Sequence, residues 1–162
     1  MIPSIIGLAS ILKLNDRLFI NALENIIQEQ AKERLSEHNN PINWLSNHIV
    51  WGRYEMLKLL GRSNEINPYT ELFKNFKPYD EDIVLNQIEY IKEEWNKVGL
   101  LINDALETVT EEQLAEEPKS VTPIGVPTKF GSFSFFIWHE SYHLGQLALL
   151  KKHYTTEPMK FF

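Results

Sequence analysis

Cysteine is absent from this sequence of 162 residues. No disulfide framework can staple the chain, and any metal site must draw on nitrogen and oxygen donors. Long hydrophobic runs are also missing. No stretch approaches the roughly 20 apolar residues that a membrane-crossing helix requires. Positive charge is in the minority, 16 basic residues against 22 acidic for a net charge of −6, and the basic residues are scattered. A phosphate backbone would meet net repulsion, so no nucleic-acid partner is expected. The opening Met1-Ile2-Pro3-Ser4 has neither the basic segment nor the apolar core of a secretory signal. Together these absences predict a cytoplasmic protein with no membrane partner.

What is present favours a packed globular fold. Hydrophobic residues make up 43% and aromatics 12%, enough to build a real core in one domain spanning 1–162. There is no internal repeat. Most of the 7 glycines and 8 prolines sit between periodic stretches, where breakers belong.

The periodicity predicts four long helices. Ile11, Leu12, Leu18, Phe19, Ala22, Leu23, Ile26 and Ile27 form one apolar stripe, so the first helix is expected over 8–35. A turn follows at His38-Asn39-Asn40-Pro41. The second helix begins near Pro41, runs through Trp44, Leu45, His48, Trp51, Met56 and Leu60, and stops at Gly61. Residues 62–79 read as a long connection with a helical turn over 69–76. In the third helix Val84, Ile88, Ile91, Trp95, Val98, Ile102, Ala105 and Val109 alternate spacings of four and three, a heptad seam. Asp80, Glu81 and Asp82 would lie at its start, where the helix dipole favours acids. A short helix over 110–117, a proline-rich loop over 118–130 and a fourth helix over 132–153 complete the pattern. The tail 155–162 ends in Phe161-Phe162, expected to dock on the body. The fold class is therefore all-α, a four-helix bundle in which the long connection permits a crossover between helices two and three.

The chemistry concentrates on histidine. His139 and His143 are four residues apart, which puts their imidazoles within about 40° of each other on one helix face. Phe135, Phe136 and Leu147 share that face, so it points inward, where two histidines are costly unless paired or bound. Each could instead be an ordinary hydrogen-bonded core histidine. Metal chelation needs a third ligand, and His48, set among Trp44, Leu45 and Trp51, is the best candidate. His38 in its polar turn and His153, rotated off the face, read as surface residues. The string His139-Glu140-Ser141-Tyr142-His143 also matches the HExxH pattern of zinc peptidases, in which Glu140 would be the general base. The extended form of that motif fails, because its glycine and third-histidine positions hold Gln146 and Leu149.

The stretches Pro41-Ile42-Asn43-Trp44-Leu45-Ser46-Asn47-His48 and His139-Glu140-Ser141-Tyr142-His143-Leu144-Gly145-Gln146-Leu147 resemble the DinB/YfiT-like superfamily of metalloenzymes. The second carries the family's HxxxHxGQ signature. The resemblance covers nearly the whole chain. It implies an up-down-down-up four-helix bundle, often a homodimer, and a three-histidine metal site carried onto His48, His139 and His143. It implies no DNA ligand. Characterised relatives include S-transferases and isomerases that use low-molecular-weight thiols such as bacillithiol or mycothiol.

Three neutral imidazoles leave a divalent ion with an open position, as catalytic sites do. Zinc is the default, and nickel, iron or manganese also suit the donors. Gln146, seven residues past His139, could orient a ligand histidine or bind substrate, and Glu140 could pair across a helix interface with a base such as Arg53. Glu55, Trp51 and Tyr142 could border the site. The leading expectation is a transferase acting on a small-molecule substrate with a small thiol. A metal-dependent hydrolase and a non-catalytic metal-binding bundle are the alternatives.

Overall fold

The apolar stripe of the first helix outlasts the helix itself. The computed structural model describes residues 1–74, 78–120 and 122–162. In it a 3-10 turn at Pro3–Ile5 leads into α1 (Ile6–Ala22), and the chain then breaks before α2 (Gln28–Lys32). Asn25 takes a left-handed backbone with φ 62° at the break, a conformation asparagine tolerates better than most residues. Ile26 still reaches the core across the turn while Ile27 is exposed. The single helix expected over 8–35 is therefore two, because burial periodicity alone does not register a turn that keeps one stripe residue inside.

Helix α3 (Ile42–Leu59) follows an extended Pro41 and carries the second histidine segment. Its end is chemically explicit. Gly61 sits at φ 87°, its amide donates to Lys58 O at 3.3 Å, and the Arg62 amide donates to Leu57 O at 2.9 Å. These are the two bonds of a Schellman stop, which glycine makes without steric cost. The connection that follows holds α4 (Thr70–Phe73), inside the helical turn expected over 69–76. Residues 75 and 76 of that expectation lie outside the described residues.

Helix α5 (Ile88–Thr108) starts later than the heptad pattern suggests. Val84 is 86% exposed. The Asp80 side chain accepts from the Asp82 amide, Asn47 Nδ2 donates to Asn86 O, and Gln28 accepts the Ile88 amide. Side chains thus occupy the backbone and hold this stretch out of the helix, a local competition that Asp and Asn favour. The acids at 80–82 precede the helix instead of capping it. From Ile88 onward the seam is buried as expected.

The capping box of Thr110 and Gln113 starts α6 (Glu111–Ala115). Helix α7 (Lys129–Thr155) begins with Thr128 accepting the Gly131 amide. It takes in the last residues of the loop expected over 118–130, of which residue 121 lies outside the described residues.

Among the described residues every regular element is helical, and no helix is long and apolar enough to cross a membrane. Helix α3 packs against α5 and α7, and α1 packs against α7 and α5. Paired residues give the directions. Asn47 with Asn86, Tyr54 with Glu94 and Arg62 with Asp104 rise together, so α3 and α5 run parallel. Asn15 with Ser141 and Asn21 with Lys151 do the same for α1 and α7. Helices α3 and α7 run oppositely, with His48 beside His143 and Gly52 beside Phe136. In the tail Met159 packs on the core, whereas Phe161 and Phe162 are exposed. The expected docking of those two phenylalanines is not seen, because Asn21 Oδ1 takes the Lys160 amide and Asn25 binds Glu157, which orients the tail on its earlier residues.

Candidate metal centre

His48 projects from the middle of α3 into an aromatic box. Its ring stacks between Trp44 (centroids 4.8 Å, 15°) and Trp51 (5.2 Å, 19°), and the edge of Phe73 from α4 closes a third side at 4.9 Å. Asn67 holds that connection in place. Its amide donates to Trp51 O and Glu55 Oε1, and its Oδ1 accepts the Tyr69 amide. Trp44 and Trp51 flank His48 four before and three after it, so they share its helix face. Phe73 comes from a distant short helix, and the sequence gives no local signal for it.

From α7, His139 and His143 turn toward the same point. His139 Nε2 lies 3.2 Å from His48 Nε2 and 3.0 Å from His143 Nε2. One donor nitrogen from each ring falls within 4.8 Å of the others. Two nitrogens bound to one zinc at about 2.0–2.1 Å would be separated by about 2.9 Å at a right angle and about 3.4 Å at a tetrahedral angle. The two shorter separations fall in that interval, and this three-histidine group could hold a divalent metal ion.

Proton accounting supports the fit. His143 Nδ1 lies 2.6 Å from Gln146 Oε1. An N–H at Nδ1 leaves the His143 Nε2 lone pair facing inward. His139 Nε2 touches both other rings, and a single N–H there satisfies only one of them. If His48 supplies the proton instead, lone pairs of His139 and His143 face each other, and His48 Nδ1 is buried with no partner. With Gln146 Oε1 accepting from His143 Nδ1, no arrangement of three neutral rings satisfies all the contacts, whereas one cation at the centre would accept all three lone pairs. The rings are held neutral. Burial, followed by the neighbouring His139 and His143, lowers the His48 pKa to about 3. Burial and then His143 lower that of His139 to about 4. Burial also lowers that of His143, against the bond to Gln146. Neutral imidazole is the form that ligates metal.

Phe135 stacks on His139 at 5.7 Å and Tyr142 contacts His143 at 5.1 Å. Trp51 and Phe136 meet edge to face at 6.2 Å beside them. The remaining candidates are placed differently. Glu140 is buried, and both of its oxygens are taken by Arg53, Nε to Oε2 at 2.8 Å and Nη2 to Oε1 at 3.0 Å. Its carboxylate is thus committed to an ion pair, which leaves it poorly suited to act as the general base of the HExxH reading. Glu55 accepts from Lys58 and Asn67. His38 and His153 are exposed.

A family model described as the DinB superfamily matches residues 11–147, an interval that contains all three histidines. The chain belongs to the DinB superfamily. No curated protein matches it closely enough to count as a relative. In this DinB-superfamily chain the matched interval runs from α1 to Leu147 in α7, so it takes in both helices that carry the histidines.

Proposed function

We propose that this protein is a metal-dependent enzyme in which His48, His139 and His143 hold one divalent ion, zinc by preference, and that it transfers a small thiol to an electrophilic small molecule. The carrying observation is the convergence of three neutral Nε2 atoms whose mutual contacts cannot all be satisfied by their own protons. When bound, such an ion supplies the Lewis acidity that brings the pKa of a thiol or water toward neutrality.

The protein's own residues do the rest. Gln146 keeps the His143 proton on Nδ1 and the opposite lone pair directed inward. Trp44, Trp51 and Phe73 hold the His48 ring by its faces and edge. Half-buried Trp51, Phe135 and Phe136 offer apolar surface beside the histidines, suited to the body of an uncharged electrophile. We place these groups in a single domain with the up-down-down-up bundle order, a reading supported by the parallel and antiparallel residue pairings above. The exposed Trp138, Tyr142 and Leu149 along α7 support a homodimer, which light scattering tests.

The deciding experiment is elemental analysis of protein purified without an affinity tag, followed by conjugation assays of a dinitrophenyl halide with and without thiol. Near-stoichiometric metal, and product that requires both thiol and metal, is the expected result. Turnover without thiol would make the enzyme a hydrolase, and loaded protein inert with and without thiol would make it a metal-binding bundle. His139→Ala should lose the metal while keeping most of its helicity by circular dichroism. Full metal retention in that variant would overturn the ligand assignment.

A further inference from the structure

A three-histidine site shared by two helices demands that the helices hold their register. Sliding α3 past α7 by a single residue is a shift of about 1.5 Å, against a tolerance of about 0.2 Å in metal–ligand distances. Apolar packing is a weak guard against such slips, since side chains of similar volume substitute for one another with small losses. A planar bidentate ion pair is a stronger one, because two parallel bonds form in a single relative position.

The α3–α7 interface contains such a pair. Arg53 lies five residues after His48, and Glu140 directly follows His139. The two are 1% and 2% exposed and are joined by two hydrogen bonds. The guanidinium is braced by two further groups. Its Nη1 donates to Asp16 of α1, and its Cζ lies 3.3 Å from the ring centroid of Trp95 on α5. Burial works against the Arg53 charge, and Glu140 and then Asp16 outweigh it, so the pKa is raised. Gly99 leaves the passage open, since a Cβ there would stand 3.2 Å from Arg53 Nη1. One side chain on α3 therefore touches each of the other three long helices. Its desolvation makes it a poor source of net stability compared with apolar packing, so a positional role explains better why it is there.

We propose that the Arg53–Glu140 pair, braced by Asp16 and Trp95, is a positioning device that sets the register of α3 against α7 and so brings His48 to His139 and His143. The proposal rests on the three-histidine metal reading, but its test separates the two. The central variant is Glu140→Asp, which keeps the charge and withdraws it by one methylene. Zinc affinity, measured by competition with a chromophoric chelator, should fall at least tenfold. The visible spectrum of the cobalt(II)-loaded protein should change shape, as a looser ligand set requires. Arg53→Lys, which gives up the fork, should behave alike. Tyr54→Phe is the stability control. It removes a buried hydrogen bond to Glu94 across α3 and α5 and should lower the melting temperature with zinc affinity unchanged.

A second readout needs no metal. The chain has no native cysteine, so nitroxide labels at Lys58→Cys and Lys152→Cys report the α3–α7 distance directly. That distribution should be narrow in the parent and broad in Glu140→Asp. Absence of zinc binding in the parent would sink the metal reading, with the label distances still deciding the register claim. An unchanged distance distribution in Glu140→Asp would overturn the proposal, as would a loss of zinc affinity in Tyr54→Phe equal to that in Glu140→Asp.

Discussion

His48 and His143 are held by different means. Gln146 fixes His143 through a hydrogen bond, whereas the His48 ring lies between two indole faces with its Nδ1 unpaired. Replacing Gln146 by Leu removes the acceptor and frees the tautomer, so metal affinity should fall by about 10- to 100-fold in a chelator competition. Acid should act on the same rings. The unfolded chain takes up protons at the ordinary histidine pKa of 6.5, while folded His48 and His139 resist until about 3 and 4. Below 6.5 the unfolded state therefore binds more protons, and stability must fall as pH falls. The urea midpoint of metal-free protein should be flat above about pH 7 and decline steadily between about pH 6.5 and 4. A midpoint unchanged across that window would mean that the rings are not held neutral. The rotation of about 100° between His139 and Glu140 turned Glu140 off the histidine face, and a base such as Arg53 was one partner the sequence offered for it. The contribution of Asp16 was not legible there, because it comes from a helix far away in the chain.

At the scale of elements, helix ends carry the information that periodicity lacks. Gly61 announces itself as a stop in the sequence and is one in the structure, and within the short helix expected over 110–117 α6 forms behind a Thr110 cap. The Asn25 break and the late start of α5 carry no such signal: the first shows only as a left-handed backbone, and the second depends on Asn47 and Gln28, whose side chains reach the backbone of Asn86 and Ile88 from elsewhere in the chain. The start of α7 shows how tight such a junction is. A Cβ at Gly131 would lie 2.5 Å from Val126 Cβ and 2.7 Å from Val126 O, so backbone as well as side chain blocks it. Gly131→Ala should displace the preceding loop and destabilise the fold by about 1–3 kcal/mol in urea melts. The histidines begin two turns later, so zinc affinity should stay within about twofold. A larger loss would mean that the loop supports the site.

Across the whole molecule, the metal should act as a tie between α3 and α7. A ligand that binds only the folded state at 100 times its dissociation constant adds about 2.7 kcal/mol. Zinc at that excess should therefore raise the melting temperature by several degrees, and a chelator should reverse the rise. His139→Ala should show no such shift. Metal that leaves the parent's melting temperature untouched would argue that the three rings are not bridged.

The helical periodicity, the inward pair His139 and His143 and the candidacy of His48 were all readable before folding, because they depend on residue spacing along a single helix. The meeting of the three Nε2 atoms, the closing of the box around His48 by Phe73 and the reach of Arg53 to Asp16 past Gly99 came from the packing of the helices. Those contacts join residues far apart in the chain, and no local periodicity encodes the packing that brings them within bonding distance.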